Sequence, residues 1–585
     1  MTRRVLLIAA LVLLAAAPLV LPEFQITLLN YIGLASIVTL GLVLLTGIGG
    51  LTSFGQAAFV GLGAYTTAVL TTQYGVSPWL TLPAGLALTF VVALCLGFIT
   101  LRLSGHYLPL GTIAWGIAIY FVFGNLNMLG KYSGLAEIPP LTLFGWRLGD
   151  SRAFYYLIWA VTLLALLAMR NLLDSRSGRA IRALRNRSMM AENFGVDTAR
   201  LKIVIFVYAA LLAAMSGWFY AHFLRFVSPH PFGLNSSIDY QFMAVIGGSS
   251  ELWGAVIGAG LLTLLKEWLK DLLPKVMEHS GNFEIIVFGL LVIAIVNRTR
   301  DGLVPYFARL IPDVQRPRPP PAPPLPRRAQ PQVGEVILQL KRVSKSFGAV
   351  TAVKDLSFEL RAGEILGLIG PNGAGKSTVF NLMTGVLTVD DGEIHFRGAR
   401  IDDRSAREIA RCGLARTYQH VRLLETMSVL DNAAIGAYLR GRKGAWSASL
   451  RLDRAEEARL QQEAAERVGW VGLGGRLFDA AGTLPLGSQR MIEIARALCA
   501  DPLLLLLDEP AAGQRYQEKQ ALAELLRALR RLGVSTLLVE HDMDFVMGLV
   551  DRIVVMNFGE KLAEGSPREI RANPAVVEAY LGSVA

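Results

Sequence analysis

From Gln25 to Leu101 the chain contains no Asp, Glu, Lys, Arg or His. A bilayer-spanning helix takes about 20 apolar residues, so this stretch alone predicts three spans. Carried along the N-terminal half, the same pattern places spans near 5–22, 27–46, 51–71, 79–101, 107–127 and 154–171. The second and third are divided only by a glycine-rich bend at Gly47, Gly49 and Gly50. Residues 203–224 form another apolar run. Residues 238–265 are interrupted at Gly247, Gly248, Ser249, Ser250 and Glu251 and predict a hairpin of two short helices; residues 285–297 predict a last span. The N-terminal run behind Met1-Thr2-Arg3-Arg4 has the look of a secretory signal, but further spans follow at once, and it is read as an uncleaved first span. Past residue 335 the pattern changes. Short, wholly apolar runs such as Ile365–Ile369 and Leu503–Leu507 predict buried parallel strands.

Charge fixes an orientation. Arg3 and Arg4 put the N-terminus inside by the positive-inside rule. Six crossings then put residues 174–202 inside, where Arg176, Arg179, Arg182, Arg185, Arg187, Arg200 and Lys202 outweigh Asp174, Glu192 and Asp197. Residues 203–224 then cross outward, and a cytoplasmic C-terminal half requires an odd number of further crossings; 238–265 entering and returning and 285–297 crossing inward to Arg298 and Arg300 meet that parity and leave Lys266 to Glu284 outside. The net charge of +11 therefore gathers beside apolar spans. It does not form the basic patches with interleaved aromatics that mark nucleic-acid binders. Charged residues are 18% of the chain, against about 25% in soluble domains. Cys95, Cys412 and Cys499 have no metal-ligand spacing and make no disulfide framework.

Between the halves, Pro312 to Pro331 hold nine prolines. Such a run favours extended polyproline II and predicts a semi-rigid spacer. The domains are accordingly an all-α polytopic membrane domain at 1–305, a linker at 306–334 and an α/β domain at 335–585. In the first, Ser53-Phe54-Gly55-Gln56 with Gly61 and Gly63 stands out. The small residues allow close helix packing, and the Gln56 amide, which needs a partner in lipid, is the better candidate to line a path.

The chemistry is carried by the second half. Gly370-Pro371-Asn372-Gly373-Ala374-Gly375-Lys376-Ser377 fits the P-loop pattern, between the strand Ile365–Ile369 and a helix opening at Thr378. Its backbone N–H groups close on phosphates, Lys376 neutralises the β- and γ-phosphates, and Ser377 ligates Mg²⁺. The leucine strand delivers Asp508, to hold Mg²⁺, and Glu509, to orient and deprotonate water. A further strand, Thr536 to Glu540, ends at His541, within reach of a γ-phosphate.

These pieces in this order resemble the ATP-binding domain of ABC transporters over residues 336–585. The resemblance implies that Phe347 stacks on adenine with Val353 beside it. It implies that Gln419 senses Mg²⁺ and the γ-phosphate, and that His541 is a switch histidine. Leu484-Pro485-Leu486-Gly487-Ser488-Gln489 then serves as the signature loop, with Leu484, Gly487, Ser488 and Gln489 facing a partner's nucleotide. The sequence departs from L-S-G-G-Q at Pro485, Leu486 and Ser488, and Gly513-Gln514-Arg515 stands where the D-loop usually ends in Asp or Asn.

Both halves also resemble branched-chain amino acid importers. The membrane half does so through Gly47 to Tyr65, Ser177 to Ala183, Ala191 to Val196 and Leu252-Trp253-Gly254. The ATPase half does so through Asp508 to Gly513, Glu540-His541-Asp542-Met543 and Ala579-Tyr580-Leu581-Gly582. In that family the two parts are usually separate chains; here they are fused. The resemblance implies ATP and Mg²⁺ as cofactors and an inner-membrane importer of branched-chain or related amino acids. It implies a periplasmic or lipid-anchored solute-binding protein, and a second permease and ATPase pair, with distinct partners favoured over a homodimer. It also makes residues 174–202 a coupling segment docking near Gln419. Urea and short amides stay open as solutes. The charge-free 25–101 stretch argues against an exporter, and a membrane-anchored regulatory ATPase leaves the spans without a purpose.

Overall fold

The computed structural model describes residues 2–103, 105–143, 145–185, 187–276, 283–299, 302–308 and 317–581. Two compact units result: Met1–Leu173 with Ala199–Val314, and Asp174–Thr198 with Gln315–Ala585.

The first unit is helical: α1 (Thr2–Val20), α2 (Glu23–Leu42), α3 (Gln56–Thr72), α4 (Pro78–Thr100), α5 (Tyr107–Asn125) and α6 (Ser151–Leu173), with a small hairpin of β1 (Leu141–Leu143) and β2 (Trp146–Leu148) before α6. Two short helices of the other unit, α7 (Arg176–Leu184) and α8 (Ser188–Asn193), intervene before α9 (Thr198–Leu224), α10 (Leu234–Gly247), α11 (Leu252–Val276), α12 (Phe283–Arg298) and α13 (Leu303–Ala308). Six helices among the described residues are long and apolar enough to cross a membrane.

Two expectations are corrected here. The third span starts at Gln56, not residue 51. A π-helical turn, Val43–Ile48, extends α2, and Leu51 to Gly55 have no regular structure. Gly50, at φ +72°, ends the helical path. The freed backbone is satisfied locally, Leu51 N–H by the Leu45 carbonyl and Phe54 N–H by Thr112 Oγ1, as buried backbone requires. The second arm of the hairpin at 247–251 is also not short: α11 has 25 residues. The break is confined to the turn, where Gly248 sits at φ +120°. Lys266 lies on α11 rather than in an outer loop, its ammonium 2.6 Å from Asp239 of α10. Part of the stretch expected outside, residues 277–282, falls beyond the described residues.

Small residues set the closest packing. A Cβ on Gly63 would stand 2.0 Å from the Ala214 carbonyl oxygen, and one on Gly217 1.9 Å from that of Val60. So α3 and α9 meet backbone to backbone, as small residues allow between membrane helices. Gly61 instead makes room for Phe123, whose ring would lie 2.3 Å from a Cβ there.

The second unit is α/β. One sheet has six strands in the order β12 (Glu560–Gly565), β11 (Arg552–Asn557), β5 (Ile365–Ile369), β10 (Ser535–Val539), β9 (Leu504–Asp508) and β8 (Leu414–Arg416). Every neighbouring pair is parallel except β11 with β12. An antiparallel sheet orders β4 (Val350–Arg361), β3 (Val336–Phe347), β6 (Asp391–Phe396) and β7 (Ala399–Arg400). Strands β5, β9 and β10 are buried along their whole length, which explains why they read as unbroken apolar runs. The helices are α14 (Lys376–Met383), α15 (Ala406–Cys412), α16 (Val429–Ala434), α17 (Ala445–Ser449), α18 (Arg454–Trp470), α19 (Leu486–Cys499) and α20 (Tyr516–Arg531). A second apolar core joins α16, α18 and α19.

The proline-rich stretch is no free spacer where it is described. Leu325 is buried in that second core. Arg459 donates to the Pro323 and Pro324 carbonyls, Arg440 to that of Pro326, and Arg328 N–H donates to Asp501. Carbonyls left unpaired by polyproline geometry are the groups these arginines take up.

Candidate nucleotide site and docking segment

Strand β5 runs straight into the P-loop, and α14 leaves it with Lys376 as its first residue. Gly370, Gly373 and Gly375 have φ of +157°, +83° and +97°. A Cβ on Gly375 would lie 2.2 Å from the Ala352 carbonyl oxygen, whereas Gly373 faces open space. Lys376 Nζ donates to the Gly370 and Pro371 carbonyls at 2.7 and 2.9 Å, which arches the loop. Burial pushes this ammonium below the ordinary lysine range, against the pull of Glu509 and Asp508.

Above the loop lies a cleft of about 320 Å³, lined by Ala352, Asn372 to Thr378, Gln419, Glu509 and His541. Strand β9 places Asp508 at its end, 4% exposed and 4.0 Å from Arg416. Burial raises its carboxyl above the usual range, with Arg416 opposing. Glu509 follows at φ +49°, a left-handed backbone that turns its side chain into the cleft. Its Oε1 accepts from Gln419 Nε2 and meets His541 Nε2, both at 3.0 Å. One carboxylate is thus gripped by two predicted site residues from different loops. With Gln419 donating through nitrogen, its Oε1 is left for a cation. Ser377, Gln419 and Asp508 offer the hard oxygen donors that Mg²⁺ prefers, and they fit that ion.

Not every predicted residue comes to the cleft. Phe347 is half exposed at the end of β3, with the Lys345 ammonium 5.9 Å over its ring, and it does not line the cleft. Val353 is fully buried in the core. Strand alternation turns it inward, and its neighbour Ala352 lines the cleft instead. Leu484, Gly487, Ser488 and Gln489 stand at the start of α19, outside the cleft lining, with Leu486 exposed.

Sequence reasoning passed over three supports. Glu540, 3% exposed, accepts from Ala511 N–H at 2.5 Å and His541 N–H at 3.2 Å, tying the two loops that flank Glu509. Arg490 of α19 donates to the Glu509 carbonyl. Arg496, fully buried, donates to Glu493 and the Arg422 carbonyl and lies over Phe194. Only the Glu540-His541 pairing gave any sign of the first; the others depend on long-range packing.

The basic segment 174–198 packs within this second unit. Arg176 donates to the carbonyls of Tyr438, Gly441 and Lys443. Arg179 pairs with Glu457 of α18, the two side chains 3% and 7% exposed. Asn193 donates to the Tyr418 hydroxyl, one residue from Gln419, and Arg407 pairs with Asp197. Gly195, at φ +86°, leaves room for Leu439.

A glycine-arched P-loop, a glutamate held at the end of a buried parallel strand and a helical subdomain carrying the signature loop define an ABC-type ATPase. The family profile of the branched-chain amino acid transport system permease component matches residues 25–296. Those of the ABC transporters and of the branched-chain amino acid ATP-binding cassette transporters match 353–512 and 560–585. The high-affinity branched-chain amino acid transport ATP-binding protein LivG of Salmonella typhimurium is 43% identical over 255 residues, 43% of this chain and 99% of that protein. BraF of Pseudomonas aeruginosa, named likewise, is 38% identical over 42% of this chain and 98% of its own length. A crystal structure of a nucleotide-free ATP-binding cassette from an ABC transporter is 29% identical, covers 42% of this chain and 100% of that one, and has a TM-score of 0.38. The chain belongs to the branched-chain amino acid ABC transporters, with permease and ATP-binding parts fused in one polypeptide.

Proposed function

We propose that this chain is the fused permease and ATPase subunit of an importer that carries branched-chain or related amino acids into the cytoplasm. The observation that carries the reading is the grip of Gln419 and His541 on Glu509, in a unit where Tyr418 also holds Asn193 of the basic segment. A γ-phosphate entering the cleft competes for those contacts, so nucleotide state reaches the segment through one residue step. Loop residues Gly370 to Thr378 bind the phosphates, with Phe347 at the base. Ser377, Asp508 and Gln419 hold Mg²⁺, which supplies charge neutralisation at the phosphates. Glu509 takes the proton of the attacking water, and His541 orients it. The signature loop, exposed at Pro485 and Leu486 while Leu484 is buried, supports a second ATPase domain whose cleft it completes. To this reading belong distinct partner subunits, a solute-binding protein and a bacterial inner membrane, as the family resemblance implies.

The test is ATP-driven uptake of labelled leucine against labelled urea in proteoliposomes holding the chain and its partner subunits, with Glu509→Gln as control. Leucine uptake lost in the control is expected. Urea uptake instead moves the solute class, and uptake of neither with ATP hydrolysis intact overturns the reading.

A further inference from the structure

Gln56 is the first residue of α3, 1% exposed, and neither its amide oxygen nor its amide nitrogen has a partner. An unpaired amide is disfavoured in an apolar interior, and a packing role alone would be served by Leu or Met. The indole N–H of Trp115 is likewise buried and unpartnered, and its ring fills the space over Gly55, 2.1 Å from where a Cβ would stand. Phe59, one turn along α3, packs on Trp115 and on Phe206, at ring-centroid distances of 5.0 and 5.7 Å. Unspent donors and an acceptor therefore sit beside an aromatic wall, at the N-terminus of a 17-residue helix and next to the non-helical run Leu51 to Gly55. The positive end of a helix dipole favours a carboxylate, and broken membrane helices are where transporters place charged groups of small solutes.

Taken with the reading under Proposed function, on which it rests, the geometry points to a solute-binding site at the α2–α3 break, specific for a zwitterionic amino acid with an apolar side chain. The carboxylate lies at the α3 N-terminus, taking hydrogen bonds from Gln56 Nε2 and the Trp115 indole. Gln56 Oε1 accepts from the ammonium, and the side chain lies on Phe59 and Phe206. No charged residue lies between Gln25 and Leu101, so recognition there is by dipoles and amides, which lets the solute leave again.

The experiment uses the full chain with its co-purifying subunits in lipid nanodiscs and a diazirine analogue of leucine, with labelled peptides read by mass spectrometry. Leucine-competed labelling is expected on the peptides carrying Phe59, Trp115 or Phe206. Gln56→Glu sets carboxylate against carboxylate at unchanged size and is expected to cut it at least tenfold; Gln56→Asn keeps both polar atoms and retains a part. Competed labelling confined to other parts of the membrane half, undiminished labelling in Gln56→Glu, or none in an assembly that takes up leucine in cells overturns the site. No labelling together with no leucine uptake overturns the importer reading instead, and this site with it. Should Gln56→Glu fail to accumulate, Gln56→Met replaces it, and normal labelling in that variant overturns the site.

Discussion

Arg179 and Glu457 face each other in a buried two-point ion pair, 278 residues apart in sequence, with a second contact at 3.1 Å. Removing one partner strands the other charge. Arg179→Ala is therefore expected to loosen the segment by about 3–5 kcal/mol. Leucine uptake should fall far more than ATP hydrolysis, and equal loss of both would show that the pair serves only ATPase stability. Arg179→Met with Glu457→Met should recover thermal stability, because apolar replacement of a whole buried pair is close to neutral.

Gly195→Ala tests the same dock by backbone. A left-handed φ costs a non-glycine residue roughly 1–2 kcal/mol, and the new Cβ would lie 2.2 Å from Leu439. Hydrogen exchange at residues 188–198 is expected to speed up, with Arg179→Ala as the reference.

Glu509→Gln keeps the shape of the side chain and removes the proton acceptor. Phosphate release is expected to drop on the order of a hundredfold or more, with ATP affinity, read by a fluorescent analogue, within a few-fold of the parent.

Burial raises the Glu540 carboxyl above its ordinary value, opposed by the Ala511 and His541 amides. The folded chain therefore holds this proton more tightly than the unfolded one. Stability contributed by the neutral form is present below the unfolded value of about 4.3 and declines as pH rises from there through the folded value. The melting temperature of the parent relative to Glu540→Gln should fall as pH is raised from 4.5 to 7. A difference that grows with pH in the opposite direction refutes the assignment.

Pro485 caps α19 without a side-chain hydrogen bond. Pro485→Ser restores the signature hydroxyl and an N-cap, the latter worth about 1 kcal/mol. ATP turnover of the assembly is expected to rise; unchanged turnover counts against a weakened signature loop.

Much of the ATPase was legible because its chemistry is local. The P-loop glycines with Lys376 form one contiguous run and the leucine strand with Asp508 and Glu509 behind it another, and their order implies their meeting. Val353 lies in the core while its neighbour lines the cleft, because a one-residue step along a strand reverses the face, and only the pairing of β3 with β4 says which of Ala352 and Val353 turns inward. The length of α11 was hidden by Lys266, Glu267, Lys270 and Asp271, which end the apolar run at 265; in the fold Asp239 supplies a partner for the first. Leu325 sat among prolines that read as extended chain, and nothing local marks one leucine as a core residue of helices more than a hundred positions away.

That buried leucine bears on assembly. With Leu325 and the proline carbonyls anchored on the α16–α18–α19 subdomain, residues 323–326 are part of the ATPase fold. Fusion makes permease and ATPase parts in equal number and anchors part of their connection on one of them, whereas separately encoded parts must be matched in amount.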